Sequence, residues 1–143
     1  MTNQTLTNGS SLHEPVLNQE ILDRYRHRAG LVERLIEAYL SEAPQFYDQI
    51  RDGVQEKNLS DVKLNAHRLK SSSQNLGAVR LSELCQHLES QAAENNFDAV
   101  VQLSERLGPE CFEVQEALKG ERFLLKNEKN EADDSTNNNL YSV

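Results

Sequence analysis

One stretch of this 143-residue chain groups residues whose types and spacing could do chemistry: Ala66-His67-Arg68-Leu69-Lys70-Ser71-Ser72-Ser73-Gln74-Asn75-Leu76-Gly77-Ala78. At about 100° per residue, the apolar stripe of this helix (Val62, Leu69, Ser73, Leu76) lies across the wheel from His67. Ser60, Lys63, Leu64, Lys70, Ser71 and Gln74 share the His67 face instead. The imidazole is therefore expected to face solvent among cations and hydrogen-bonding groups. A neutral imidazole nitrogen is a competent nucleophile near neutral pH. A phosphoryl group held there would carry close to two negative charges, which Lys70 and Lys63 can offset. The small side chains of Ser71, Ser72 and Ser73 leave room beside the ring, and Leu64 and Arg68 offer contacts to an incoming partner. The same pattern also fits an ordinary solvated helix face. His13, His27 and His87 have no spacing that converges on His67, so a metal site is not expected.

Glu89 is the second candidate. His67 lies ten residues before Gly77 and Glu89 twelve after it. At a rise of about 1.5 Å per residue, the two should stand level on antiparallel helices joined at Gly77. A carboxylate there could accept one imidazole N–H and fix the tautomer, leaving the other nitrogen to attack. A boundary glutamate in a surface salt bridge is the plainer alternative.

The elements that would position these residues follow from periodicity. Residues 1–14 form a polar leader, expected to be disordered. Leu17, Ile21 and Tyr25 mark a short amphipathic helix to Arg28, ended by Ala29-Gly30. Val32, Leu35, Ile36, Tyr39, Ala43, Phe46, Ile50 and Val54 share one helical face, in phase across Pro44, so that segment reads as a kinked helix or two nearly collinear ones. Asn58 is a good N-cap for the His67 helix, and Gly77 is placed to end it. Leu81, Leu84, Cys85, Leu88 and Ala92 line the next helix. Phe97, Val100, Leu107, Cys111, Val114 and Leu118 line the last, in phase across Pro109 and ended by Gly120. The tail, residues 121–143, is polar and expected to be disordered. Nothing alternates with period two. The expectation is an all-α fold over residues 15–120: an antiparallel up-down-up-down four-helix bundle with a short additional N-terminal helix.

Composition narrows the function. A net charge of −8 argues against nucleic-acid binding, which needs a basic surface. No apolar run approaches the roughly 20 residues that cross a bilayer, and the N-terminus lacks the basic start and apolar middle of a secretory signal. A cytoplasmic protein without membrane contact is expected. Cys85 and Cys111 read as reduced core residues.

The stretch resembles the histidine phosphotransfer (HPt) family, whose signature it matches at Ala66, His67, Leu69, Lys70, Ser71, Ser72, Ser73, Leu76, Gly77 and Ala78. The likeness extends more loosely from about Leu17 to Leu118, through Ala43-Pro44, Asn58-Leu59 and Asn96-Phe97. It implies a left-twisted four-helix bundle whose His67 takes a phosphoryl group from a receiver-domain aspartate and passes it to another. It further implies that Glu89 fills the position where many members hydrogen-bond the histidine with a glutamine or glutamate. Receiver domains of response regulators and a hybrid sensor histidine kinase are the implied partners. Mg²⁺ is expected in the receiver and no cofactor in this chain, a phosphocarrier and not an enzyme in its own right. Ser71 departs from the glycine many members carry, which bears on docking. Two other readings compete. The phosphoacceptor bundle of a histidine kinase usually has an acidic residue after its histidine and a proline soon after. Here Arg68 follows His67, and no proline comes after it until Pro109. A purely structural helical adaptor would have no use for His67. Four long helices in one chain also predict a monomer.

Overall fold

Five helices make up the described part of the chain, residues 14–141 of a computed structural model, with side chains described to residue 130. They are α1 Gln19–Asp23, α2 Leu31–Gln55, α3 Leu59–Asn75, α4 Val79–Ala93 and α5 Phe97–Tyr141. Each long helix buries the stripe its spacing predicts. Val32, Ile36 and Ile50 of α2 meet Val62 and Leu69 of α3, Leu81 and Leu88 of α4, and Val100, Leu107 and Leu118 of α5 in one core. α2 packs on α3, α3 on α4, α4 on α5, and α5 back on α2, so the ring of neighbours closes. Short connections force successive helices to run in opposite directions, giving the expected up-down-up-down bundle. No helix among the described residues is long and apolar enough to cross a membrane.

Local chemistry sets the ends of the His67 helix. Asn58 accepts the Asp61 backbone N–H at 3.2 Å and donates to the Asp61 carboxylate at 2.9 Å, starting α3. At the other end Gly77 takes φ 79°. The Ala78 N–H bonds the Ser73 carbonyl and the Gly77 N–H the Gln74 carbonyl, the paired bonds of a Schellman C-cap. Lys57 and Asn95 adopt left-handed φ in the two turns at the opposite end. α1 is shorter than the spacing suggested. Beyond Asp23 the chain runs on to Arg28 in single turns closed by i→i−3 bonds. Leu17 and Leu22, on either side of α1's start, are buried against the end of the bundle.

Pro44 and Pro109 both lie within uninterrupted helices, so of the two readings of α2 the single helix holds. One expectation changes. Gly120 does not end α5, and residues 121–141 continue as helix where a disordered tail was expected. A glycine inside a helix costs only about 1 kcal/mol relative to alanine. Several contacts offset it. The Glu121 carboxylate accepts from Gln19 at 2.7 Å and Arg26 at 3.2 Å, Arg122 pairs with Glu37 at 3.1 Å, and Leu125 packs against the core. Of the expected leader, residues 1–13 lie outside the described residues.

The apolar stripe of the site helix also carries a hydroxyl, and the core around it two thiols. Ser73 is fully buried, and its hydroxyl meets the Tyr39 hydroxyl at 3.2 Å. Cys85 is buried and Cys111 half-buried, both as free thiols. Burial pushes both thiols up, that of Cys111 to about 12, which leaves them unreactive near neutral pH.

Candidate functional site

α3 and α4 form an antiparallel hairpin, and that geometry levels their side chains. His67 Nδ1 lies 3.0 Å from Glu89 Oε2, as the count about the turn predicted. The ring itself points outward, with 56% of its side chain exposed. Lys70, one turn further along α3, donates from Nζ to Glu89 Oε1 at 2.8 Å. The carboxylate thus bridges the imidazole and the ammonium, one oxygen to each.

The charge state of Glu89 follows from those contacts. Partial burial pushes its carboxyl up, but the Lys70 hydrogen bond, then that from His67, and the charges of both outweigh burial and hold it below the usual carboxylate range. An ionised carboxylate only accepts hydrogen bonds, so Nδ1 must be the donor. A neutral imidazole protonated on Nδ1 carries its lone pair on Nε2. The geometry therefore presents Nε2 as the nucleophilic atom of an exposed ring.

A depressed carboxyl contributes stability that is present above its unfolded value of 4.5 and is lost as pH falls through the folded value. Glu89→Gln is accordingly expected to cost roughly 1 kcal/mol at neutral pH. The gap between variant and wild type should close as pH drops from about 5 towards 3. Urea unfolding of both chains across that range checks the sign. A gap that widens on acidification would contradict the ionised Glu89.

The other expected residues divide. Leu64, 47% exposed, sits one turn before His67 on the same face, and Arg68, Ser71 and Gln74 are exposed beside it. Lys63 is exposed too, but it lines a polar cleft with Glu56, Lys57 and Asn58 and forms no ion pair with Glu89. Of the three serines expected to leave space at the ring, only Ser71 is exposed. Ser72 is half-buried and Ser73 turns into the core, because position 73 belongs to the apolar stripe.

Sequence reasoning missed Gln86 and Ser90. Gln86 Oε1 accepts from Lys70 Nζ at 2.8 Å, and Gln86 Nε2 donates to Ser90 Oγ at 3.2 Å. The signal was available. His67 and Glu89 each stand eleven residues from Ala78, and Lys70 and Gln86 each stand eight, so one hairpin register levels both pairs.

Comparison with known proteins finds similar chains. Residues 34–123 match the Hpt domain family model. The chain is 27% identical over 89 residues to the phosphorelay intermediate protein YPD1 of Candida albicans, a match covering 62% of this chain and 48% of that protein. It therefore spans about half the length of that curated relative. Among solved structures it superposes on histidine-containing phosphotransfer protein B from Pseudomonas aeruginosa with a TM-score of 0.71 at 23% identity, covering 76% of this chain and 95% of that one. A histidine-containing phosphotransfer protein from maize gives a TM-score of 0.68 at 14% identity, covering 79% and 86% respectively. At these identities the two structures establish a shared fold.

Proposed function

The chain belongs to the Hpt domain family, and from that premise we propose that it is a histidine phosphotransfer protein of a multistep phosphorelay. In this reading His67 takes a phosphoryl group from the aspartate of one receiver domain and passes it to another. The observation that carries it is the pairing of His67 Nδ1 with an ionised Glu89, which leaves Nε2 bearing the lone pair on an outward-facing ring. Nε2 attacks the phosphorus of the receiver's acyl phosphate. The N–P bond forms as the P–O bond breaks, and the receiver carboxylate leaves with the bonding pair. The ring gains positive charge in that step, and the Glu89 carboxylate on Nδ1–H offsets it. Lys70, held by the same carboxylate as the imidazole, meets the charge of the phosphoryl oxygens in this reading.

The chain then acts as a phosphocarrier. Mg²⁺ and most of the transition-state stabilisation belong to the receiver. Receiver domains of response regulators and a hybrid sensor histidine kinase, met in the cytoplasm, are its partners. Leu64 and Arg68 form the docking rim beside His67. The closed ring of four helices within one chain favours this reading over a kinase phosphoacceptor bundle, which assembles its four helices from two chains.

The test is transfer of label from a phosphorylated receiver domain, followed by acid and alkali treatment, with acid-labile, alkali-stable label expected. Lys70→Ala should slow that transfer roughly tenfold, about 1.4 kcal/mol of transition-state stabilisation, while its helical spectrum stays that of the wild type. An unchanged rate would reduce Lys70 to a brace for Glu89.

A further inference from the structure

Lys70 is not a loose surface cation. Its ammonium is held by two acceptors from α4, Glu89 Oε1 and Gln86 Oε1, both at 2.8 Å, and its side chain is only 19% exposed. The Gln86 amide is held in turn. Its Nε2 donates to Ser90 Oγ one helical turn on, which points Oε1 back at Lys70. Gln86, Glu89 and Ser90 are spaced i, i+3, i+4 along one face of α4, opposite His67 and Lys70 at i, i+3 on α3.

We propose that Gln86, braced by Ser90, is the positioning residue that fixes the Lys70 ammonium beside His67, leaving one of its three protons for a phosphoryl oxygen. The inference rests on the phosphocarrier reading of His67. An ammonium has three donors and no acceptor, and Glu89 and Gln86 occupy two of them. The neutrality of Gln86 matters as much as its oxygen. Lys70 and Glu89 cancel in charge, so a second carboxylate at position 86 would leave the cluster negative towards an incoming group that already carries close to two negative charges. An apolar residue there would leave the ammonium on a single acceptor, at the end of a flexible four-carbon stem.

Two substitutions separate position from charge, and a third background tests the route. Transfer from a phosphorylated receiver domain is compared for wild type, Gln86→Leu and Gln86→Glu, and for Gln86→Leu added to Lys70→Ala. Gln86→Leu should lower the rate at saturating receiver about three- to tenfold, a coupling usual within one hydrogen-bond network, with little change in KM for the receiver. Gln86→Glu should lower it further, and added salt should recover part of that difference. In the Lys70→Ala background, Gln86→Leu should change nothing more. If it slows that chain by the same factor, or if its effect falls on KM, Gln86 touches the partner and the proposal fails. A second readout needs no phosphoryl group. Exchange of the Lys70 ammonium protons, followed by NMR in the unphosphorylated chain, should quicken in Gln86→Leu. Unchanged exchange overturns the hold on Lys70. Faster exchange in a chain whose wild type takes no label would strike the carrier reading and leave the hold standing.

Discussion

A His67→Gln chain incubated with a phosphorylated receiver domain should acquire no acid-labile, alkali-stable label, while wild type labels within the same period. The loss should be complete, because the substitution removes the only nitrogen lone pair that the site presents outward. An amide nitrogen is not nucleophilic, and its oxygen offers no stable phosphoryl adduct. The fold should survive. More than half of the His67 side chain is exposed, and substitutions at such positions usually shift stability by about 0.5 kcal/mol or less. Losing the Nδ1–H bond adds to that, but Glu89 keeps its Lys70 partner. An unchanged helical circular dichroism spectrum and a urea midpoint near that of the wild type would show that the loss is chemical. Label that persists in the glutamine chain would move the phosphoacceptor to another residue and sink the reading.

Much of this site is legible in the amino-acid sequence, for a physical reason. Helical phase separates the half of α3 that builds the core from the half that faces water, and both periodicity and hairpin level can be counted from the sequence. That counting placed His67 outward and Glu89 beside it. It failed where side-chain choice, not phase, decides the outcome. Lys70 could have pointed at solvent, but the ionised Glu89 and the Gln86 amide draw it across to α4. Gln86 is exposed and polar, so nothing in its own helix marks it, and only its level with Lys70 gives it away. Ser73 shows the converse. A hydroxyl on the apolar stripe looks anomalous until Tyr39, thirty-four residues earlier, supplies its partner. Gly120 misled because a glycine after an apolar stripe is a common helix stop. The bonds from Gln19, Arg26 and Glu37 that carry α5 past it come from segments roughly a hundred residues away.

The same methyl group added at two glycines should have opposite effects, and the contrast locates what fixes the site hairpin. Gly120→Ala meets nothing within 4 Å inside a helix, so it should stabilise by about 0.5–1 kcal/mol through helix propensity. Gly77→Ala should destabilise by about 3 kcal/mol or more. Its φ of 79° costs an L-residue about 1–2 kcal/mol. A Cβ there would also lie 2.6 Å from the Asn18 carbonyl oxygen and 3.1 Å from the Asn18 nitrogen. Those atoms are backbone and cannot rotate away. The Asn18 N–H is bonded to the Gly77 carbonyl at 2.7 Å, and Asn18 also caps α1. Relief therefore means lifting α1 off the bundle and exposing Leu17 and Leu22, now buried, at further cost. Urea unfolding of the two alanine chains measures both signs, and a Gly77→Ala midpoint near wild type would show that the α1 contact carries no strain. The consequence reaches the chemistry. Both level pairs, His67 with Glu89 and Lys70 with Gln86, are centred on Ala78, the residue next to this glycine. A turn that opens there shifts the register of α3 against α4, and every site contact depends on that register. Gly77 thus does more than stop a helix, because the close approach of Asn18 locks the turn that keeps the imidazole and its carboxylate level.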